Sequence, residues 1–491
     1  MTFNLSVILR ESARRDPDKT AVIFGDRKVS YAELDAAADR AAAGLLRHAA
    51  KGDRVALMLP NRVEFLECYF GILKAGLVAV PMNPLLKAAE AAHILADSGA
   101  RAVVAGDLSA AAVADAGVAV LNPDQPDFLG DPAPLPWAAT TDADDTAVII
   151  YTSGTTGRPK GAELSHFQLY LNCSLAGDRF DTRPDDVSLA VLPFFHVYGL
   201  SSVVNVAIRK GGTIAAVPRF DVDLVLDVLH DHRVSVLAGV PTMYHALLHA
   251  DTAGRDLSAL RIGSCGGASM PEAVLKGVEE KFGITVLEGY GLSETGSTAT
   301  MNPGVDDRRI RSIGRPIWGV DVRVAAPDGG ALPDGEVGEL LVRGHVVMKG
   351  YHNNPTATAE AIRDGWLHTG DLGYRDADGF LYVVDRIKDL IIRGGFNVYP
   401  REVEEVLYGH PAVAEAAVVG RLDERLGEEI VAVVTVRPGR DLDPDALIAY
   451  CRERLADYKS PREVRVVDAL PKNATGKLLK REVREFVSLR R

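Results

Sequence analysis

The sequence predicts an α/β protein with at least two domains. Short apolar runs alternate with helical patterns up to Gly291, which is typical of βαβ units around parallel sheet. The chain has 491 residues, more than a single hydrophobic core usually accommodates. The clearest boundary lies near Asp385–Lys388, after which two glycines and Pro400 introduce a new helical pattern. We therefore expect a large domain over residues 1–385 and a compact α+β domain over residues 386–491.

The predicted elements follow local signals in chain order. Ser30 and Glu33 have the spacing of a capping box and begin an Ala/Leu-rich helix. Residues 122–145, rich in Pro, Asp and Ala, predict a loop, and the short strands and turns within 310–385 predict a β-rich subdomain. Helices are predicted at 30–48, 64–75, 88–97, from 165, from 198, and at 222–230, 242–250 and 271–282. Strands are predicted at 54–60, 77–83, 100–106, 187–193, 213–217, 234–239, 260–267 and 284–291.

Composition and charge limit the class of protein. The chain has 67 acidic and 55 basic residues, a net charge of -12, which argues against nucleic acid because affinity for phosphate backbones comes largely from Lys and Arg. Its four cysteines form no Cys-x-x-Cys pair, so we expect reduced thiols in the cytoplasm rather than a zinc site or disulfides. The N-terminus has no signal-peptide pattern. The apolar stretch 63–80 is interrupted by Glu64, Glu67 and Lys74, which argues against an integral membrane segment.

The stretch IIYTSGTTGRPKG, residues 149–161, predicts a strand that ends in an anion-binding loop. Glycines let backbone N–H groups approach a negative charge, the hydroxyls of Ser153, Thr155 and Thr156 add donors, and Lys160 adds a positive charge. The spacing is not that of the Walker P-loop. A surface turn is the competing interpretation, since Gly, Ser and Thr are common in turns.

Four further stretches complete a pattern: GYGLSET (289–295), WLHTGDLG (366–373), VDRIKDLI (384–391) and LPKNATGKLLKRE (470–482). In this order after IIYTSGTTGRPKG, they make the chain resemble the adenylate-forming superfamily, which includes acyl-CoA synthetases, aryl-CoA ligases, peptide-synthetase adenylation domains and firefly luciferase. The resemblance covers nearly the whole chain and is greatest to fatty acyl-CoA synthetases. It implies stacked βαβ sheets with a barrel-like subdomain, followed by a small, mobile C-terminal domain.

The resemblance implies a two-step reaction that uses ATP, Mg²⁺ and coenzyme A. ATP converts a carboxylate to acyl-AMP with release of pyrophosphate, and preorganised cations and donors lower a barrier of this kind. The residues implied in catalysis are Lys477, Thr155, Glu294 and His196, and those implied in holding Mg²⁺ are Glu294 and Thr155. The residues implied in binding ATP or AMP are Thr152, Ser153, Gly154, Thr155, Thr156, Lys160, Gly266, Gly267, Ala268, Glu288, Gly289, Tyr290, Gly291, Thr295, Asp371, Arg386, Lys388 and Lys477.

Lys477 is far from the other implied residues along the chain, and on its own it would be a solvated lysine. By resemblance, the small domain docks to bring Lys477 to the α-phosphate and then rotates about a hinge at Lys388. The second orientation would bring Arg393-Gly394-Gly395 to the large domain to bind coenzyme A. Arg219 is a candidate for a CoA phosphate, and a plain surface arginine is the competing interpretation.

The acid is the least specified part of the prediction. His196 is expected to orient the carboxylate or gate the acyl channel, against the alternative of a core histidine. The acyl-binding candidates are Phe195, His196, Tyr198, Val240, Met243, Gly289, Gly291 and Thr295. None of these is Lys, Arg, Asp or Glu, so an apolar monocarboxylate fits. Open depth at Gly289 and Gly291 favours a medium- or long-chain fatty acid, and an aromatic acid such as a cinnamate or benzoate is the alternative.

Other functions remain open from the sequence. An adenylating enzyme could stop at acyl-AMP or load a carrier protein, and a luciferase-like oxygenase is a third possibility. A non-enzymatic binding protein descended from a ligase is disfavoured, because Lys160, Glu294, Asp371, Arg386 and Lys477 are all present. We expect a cytoplasmic monomer or homodimer.

Overall fold

A computed structural model describes residues 2–125, 127–129, 133–152 and 158–488. The elements up to residue 121 are α1 (Val7–Arg15), β1 (Thr20–Phe24), β2 (Arg27–Ser30), α2 (Tyr31–Leu45), β3 (Arg54–Met58), α3 (Val63–Lys74), β4 (Val78–Pro81), α4 (Ala88–Ser98), β5 (Ala100–Ala105), α5 (Asp107–Val113) and β6 (Ala119–Leu121). Ser30 and Glu33 form the predicted capping box at the start of α2. No helix within the described ranges is both long and apolar enough to cross a membrane.

The elements that follow build the rest of the large sheets. They are β7 (Thr146–Thr152), β8 (Lys160–Ser165), α6 (His166–Arg179), β9 (Val187–Ala190), α7 (Val206–Lys210), β10 (Thr213–Ala216), α8 (Val222–Asp231), β11 (Val236–Gly239), α9 (Pro241–His249), β12 (Ile262–Cys265), α10 (Glu272–Phe282), β13 (Thr285–Tyr290), β14 (Thr300–Met301) and β15 (Arg315–Pro316). The helix predicted from residue 198 begins as a π-helical segment, Tyr198–Asn205, before α7.

Three sheets shape the region before Arg386. The β-rich subdomain contains β16 (Val320–Ala325), β17 (Gly338–Gly344), α11 (Pro355–Ala361), β19 (Ile362–Arg363), β20 (Trp366–Arg375) and β21 (Leu381–Arg386). The intervening strand β18 (Gly350–Tyr351) pairs with β8 and belongs to another sheet. One sheet has the order β18-β8-β7-β4-β3-β5-β6, and a second has β15-β14-β13-β12-β11-β9-β10-β1-β2. The antiparallel third sheet has the order β16-β17-β20-β19, with β21 beside β20. Parallel pairing from β9 to β13 confirms the predicted α/β class.

The hairpin of β7 and β8 presents the predicted anion loop. Its strands are antiparallel, and Thr152 is the register partner of Lys160. The sequence analysis predicted the first strand and the helix after Ser165, but it did not predict β8. Residues Thr152 and Lys160 therefore hold the two ends of the loop side by side.

The C-terminal residues form a separate α+β unit. Its elements are β22 (Ile391–Arg393), β23 (Phe396–Val398), α12 (Pro400–Tyr408), β24 (Val413–Asp423), β25 (Gly427–Val436), α13 (Pro444–Arg452), β26 (Glu463–Val466) and α14 (Lys480–Ser488). The sheet order is β23-β22-β25-β24, with β26 parallel to β25. Apolar residues pack on each face of this sheet, so the unit has its own core. The domain boundary at residue 385 stays a prediction.

Asn61 joins the two large sheets beside the segment that contains His196. Its buried side-chain amide donates to the carbonyls of Ala190, Leu192 and Val217 at 3.0, 2.9 and 3.1 Å. Its Oδ1 accepts from the Phe194 N–H at 2.8 Å. One side chain thus satisfies backbone groups at the ends of strands from the second sheet, and it fixes the loop that leads to the candidate site.

We expect Asn61→Leu to lower the free energy of unfolding of the large domain by about 2–4 kcal/mol, because it leaves buried backbone groups without partners. The measurement is urea unfolding followed by tryptophan fluorescence. Asn397→Ala, at an exposed position, is the control and should change little. A loss below about 1 kcal/mol in Asn61→Leu would contradict the role of this amide.

Candidate active site

The site is centred on a buried carboxylate at the junction of the large sheet and the β-rich subdomain. The Tyr290 hydroxyl, at the end of β13, donates to Asp371 Oδ2 at 2.6 Å. Arg386 Nε lies 2.9 Å from Asp371 Oδ1, and the two residues are register partners on β20 and β21. Each carboxylate oxygen keeps a further lone pair, so Asp371 can still accept hydrogen bonds from a ligand.

Lys477 reaches this centre from the C-terminal unit. The carbonyl of Gly476 accepts a hydrogen bond from Thr242 Oγ1 at 3.1 Å, which seats the loop on α9. Gly476 has φ of 82°, and a Cβ there would lie 2.8 Å from Thr242 Oγ1, so the close approach favours glycine. Burial, followed by the nearby Arg386 guanidinium, lowers the pKa of Lys477 to about 8, while Asp371 acts in the opposite direction.

His196 lies near the Lys477 ammonium and is neutral at pH 7. Burial, followed by the charge of Lys477, lowers the pKa of His196 to about 4. Its Nδ1 accepts the Tyr198 N–H at 3.2 Å, which places the ring proton on Nε2. The imidazole can therefore donate a hydrogen bond to a ligand oxygen, but it cannot supply a positive charge.

Glu294 and Lys160 lie on either side of Tyr351. The Tyr351 hydroxyl donates to Glu294 Oε1 at 2.7 Å, and Lys160 Nζ lies 5.3 Å from the centre of the Tyr351 ring. Among the described residues, Glu294 Oε2 has no hydrogen-bond partner, and no group of three His, Cys, Asp or Glu side chains could hold a metal. One free carboxylate oxygen fits Mg²⁺, which commonly takes one or two carboxylates together with phosphate oxygens.

The predicted phosphate loop begins at Thr152 and returns to Lys160. Ser153, Gly154, Thr155 and Thr156 lie outside the described residues, so their predicted roles stay predictions. Thr152 lies at the end of β7 and is partly exposed.

The residues predicted near the adenine and the acid meet at the ends of β12 and β13. Gly266, Gly267 and Ala268 follow β12 and are partly or fully exposed. The Tyr198 ring lies beside Gly266, where an added Cβ would be 3.2 Å away, and its hydroxyl is 3.0 Å from Ser264 Oγ. The remaining acyl-binding candidates line the same region: Val240 and Met243 are buried, and Phe195 is partly exposed.

The glycines predicted to give the acyl site depth do not open space. A Cβ on Gly291 would fall 1.3 Å from the carbonyl oxygen of Ser297, and one on Gly289 would lie 3.3 Å from the Thr300 oxygen. The direction that a side chain would take is therefore filled by neighbouring backbone. Glycine is needed at position 291 for this close approach, so the inference of open depth was wrong.

Two side chains predicted to bind ligand make hydrogen bonds to nearby backbone. The buried Thr295 hydroxyl exchanges hydrogen bonds with the backbone of Leu292, at 2.8 and 3.1 Å, and so closes a local turn. Glu288 accepts from the Arg311 N–H at 2.9 Å, and the pKa of its carboxyl is raised to about 7 by burial, partly opposed by Arg401. Both side chains make local hydrogen bonds to the backbone, and their roles in ligand binding stay predictions.

The residues predicted to bind coenzyme A are not assembled with the centre. Arg219 is exposed in the loop before α8. Arg393 is buried in the C-terminal unit, with its Nε 2.6 Å from Glu429 Oε1. Gly394 and Gly395 form the exposed turn between β22 and β23. Lys388 is exposed in the 3₁₀ turn Ile387–Asp389, and its hinge role stays a prediction.

Sequence reasoning missed Tyr351 and Asn61. Tyr351 is marked only by the glycine before it and the Asn-Asn-Pro turn after it, and its partner Glu294 is 57 residues away. Asn61 follows a proline at a strand end, which predicts a turn and not a bridge between sheets. A polar residue between a buried strand and an apolar helix is the one signal that could have singled it out.

Comparisons with known proteins cover most of the chain. Residues 9–352 match the AMP-binding enzyme family, and residues 402–477 match the AMP-binding enzyme C-terminal domain. A feruloyl-CoA synthase from Amycolatopsis sp is 42% identical over 479 residues, 96% of this chain and 96% of that protein. The long-chain-fatty-acid–CoA ligase FadD13 of Mycobacterium tuberculosis is 38% identical over 501 residues, 99% of each chain. The ATP-bound crystal structure of MatB from Rhodopseudomonas palustris has a TM-score of 0.92 at 36% identity and covers 99% of each chain.

We expect one lysine to titrate near pH 8 in NMR spectra of ¹³C-labelled protein, and to be absent from Lys477→Ala, because burial and Arg386 oppose its positive charge. The ammonium is protonated below that pH and neutral above it. Arg386→Gln should raise the midpoint, while Arg375→Gln, which removes a more exposed arginine, should not. A Lys477 midpoint near the ordinary lysine value of about 10.4 would contradict the burial.

Proposed function

The chain belongs to the AMP-binding enzyme family, and from that premise we propose how its residues carry out ATP-dependent formation of an acyl-CoA. It is an acid–CoA ligase: ATP activates a carboxylic acid, and coenzyme A receives the acyl group. The observation that supports the assignment of residues most directly is the meeting of Lys477 and Arg386 around Asp371. This concentration of positive charge is suited to a phosphate chain.

ATP would lie across the carboxyl ends of β12 and β13, where open sheets bind ligands. The Tyr290 ring would stack on the adenine, with Gly266–Ala268 on its other side. Asp371 would accept hydrogen bonds from the ribose hydroxyls, with Arg386 holding its carboxylate in place. Lys160 and the loop after Thr152 would bind the β- and γ-phosphates.

In the first step, a carboxylate oxygen of the acid attacks the α-phosphorus, and the bond from the α-phosphorus to the bridging oxygen of pyrophosphate breaks. Lys477 would stabilise the negative charge that develops on the α-phosphate and the attacking carboxylate, and its ammonium is already desolvated for this purpose. Neutral His196 would donate its Nε2 proton as a hydrogen bond to the carboxylate and so orient it.

Glu294 would hold Mg²⁺ through its free Oε2, since a hard cation prefers oxygen ligands. When bound, Mg²⁺ supplies charge neutralisation along the phosphates and lowers the barrier to loss of pyrophosphate. Thr155 was the second predicted ligand, and its place lies outside the described residues.

In the second step, the thiolate of coenzyme A attacks the acyl carbon and AMP leaves, while the thiol proton passes to solvent. Lys477 occupies the centre in the present orientation, so the C-terminal unit would have to turn away, with Lys388 as the hinge. Gly394 and Gly395 would then approach the large domain as part of the CoA passage, with Arg393 beside them. Arg219 would meet a CoA phosphate, and the reaction would take place in the cytoplasm.

For the acid, an aryl monocarboxylate of the cinnamate type is the first candidate. The backbone fills the space behind Gly291, which leaves less room for a long flexible chain than for a compact planar acid. The similarity to a feruloyl-CoA synthase supports the same acid class. A long-chain fatty acid is the second candidate, supported by the similarity to FadD13.

Lys477→Ala should reduce acid-dependent pyrophosphate release by about 100-fold or more, because it removes a preorganised positive charge from the first step. Transfer of the acyl group from pre-made acyl-AMP to coenzyme A should remain largely intact. Lys472→Ala is the matched control, since Lys472 lies in the same loop but pairs with Glu415. Equal loss of both half-reactions in a folded Lys477→Ala protein would rule out the assigned role.

A panel of acids tests the substrate class. We expect cinnamates and related aryl acids to give a higher kcat/KM for thioester formation than medium- and long-chain fatty acids. Pyrophosphate release is measured with and without coenzyme A, which separates a CoA ligase from an enzyme that stops at acyl-AMP or loads a carrier protein. Higher kcat/KM for fatty acids would contradict the aryl preference. The absence of pyrophosphate release with every acid would contradict the assignment of ligase activity.

A further inference from the structure

Tyr351 is the residue that connects the two halves of the phosphate site. It lies on β18, a two-residue strand whose register partners on β8 are Ala162 for Tyr351 and Glu163 for Gly350. The backbone around it is held on both sides. His352 N–H donates to the Gly161 carbonyl at 2.7 Å, and Met348 N–H donates to the Glu294 carbonyl at 2.8 Å.

The side chain of Tyr351 also contacts residues on both sides of the phosphate site. Its hydroxyl donates to Glu294 Oε1 at 2.7 Å, and its ring faces Lys160 Nζ at 5.3 Å. Its own N–H donates to Thr358 Oγ1 at 2.8 Å, which anchors the strand to α11.

The charged residues on either side of Tyr351 explain why a tyrosine is suited to this position. Glu294 and Lys160 carry opposite charges and would neutralise one another in a direct ion pair. In the part of the chain that the structure describes, no such pair joins them, and the Tyr351 side chain touches both. The hydroxyl occupies Oε1 and leaves Oε2 for another ligand, while the electron-rich ring face accommodates the ammonium without using up its hydrogen bonds.

We propose that Tyr351 is a positioning residue for ATP and Mg²⁺, which orients the Glu294 carboxylate toward the cation and keeps Lys160 available for phosphate. The inference rests on the proposed function, since it takes the region between Glu294 and Lys160 as the cation and phosphate site. Hydrogen bonds to a metal-binding carboxylate commonly tune metal affinity in this way.

Two variants separate the contributions of the hydroxyl and the ring. Tyr351→Phe removes the hydrogen bond to Glu294 and keeps the ring beside Lys160. Tyr351→Leu removes both. Tyr382→Phe is the matched control, because the Tyr382 hydroxyl also donates to a carboxylate, Asp376 Oδ2 at 3.1 Å, but belongs to the β-rich subdomain.

The measurement is calorimetric binding of α,β-methylene-ATP to the full chain, with Mg²⁺ and with a chelator, which needs neither an acid nor turnover. In the wild type, Mg²⁺ should tighten binding of the nucleotide. Tyr351→Phe should reduce that gain by about 10-fold while its metal-free affinity stays unchanged. Tyr351→Leu should also weaken metal-free binding several-fold, and Tyr382→Phe should match the wild type.

Three results would overturn the proposal: a wild-type affinity that does not respond to Mg²⁺, an unchanged gain in Tyr351→Phe, or equal weakening of that variant with and without Mg²⁺. The last would mark a purely structural role, and a melting temperature for each variant checks that it is folded. If no acid releases pyrophosphate but the Mg²⁺ response follows the expected pattern, the positioning role is supported and the ligase reaction is not.

Discussion

The burial of the Lys477 ammonium beside the Arg386 guanidinium is the constraint on which the rest of the site depends. Asp371 forms an ion pair with Arg386 and accepts a hydrogen bond from the Tyr290 hydroxyl. Burial, followed by the charge of Arg386, lowers the pKa of Lys477 to about 8, while Asp371 acts in the opposite direction. A bound phosphate chain would supply the missing negative charge. The protein is therefore organised as an anion receptor whose last cation comes from the C-terminal unit.

The fold makes this arrangement possible by bringing three parts of the chain to one edge. The ends of β12 and β13 form one side of the proposed ATP site. The register pairing of β20 with β21 places Asp371 opposite Arg386. The hydrogen bond from Thr242 to the Gly476 carbonyl holds the loop that carries Lys477 against the large domain. Each of these contacts involves few atoms, but together they join separate parts of the chain. A ligase of this kind can thus assemble its first site by docking and free it by undocking, which matches a reaction in two steps.

The predictable parts of the structure are those that residue type and spacing determine. Parallel sheet, the capped helix at Ser30 and the gathering of unusual residues at strand ends all follow from local patterns. The direction in which a side chain points does not follow from such local patterns. Glycine at position 291 suggested space, but Ser297 fills it, and the hydroxyl of Thr295 closes its own turn. Tyr351 and Asn61 act through partners distant in the chain, and no short pattern specifies such contacts.

The central claim is that the Lys477 ammonium binds a phosphate of ATP. Proton uptake on ATP binding is the most direct test of this claim. Calorimetric titrations of ATP at pH 8, in buffers of different ionisation enthalpy, count the protons taken up. With a pKa of about 8 for the free lysine, the wild type should take up about half a proton more than Lys477→Ala, because phosphate raises that pKa. Equal proton uptake by the two proteins would contradict the account.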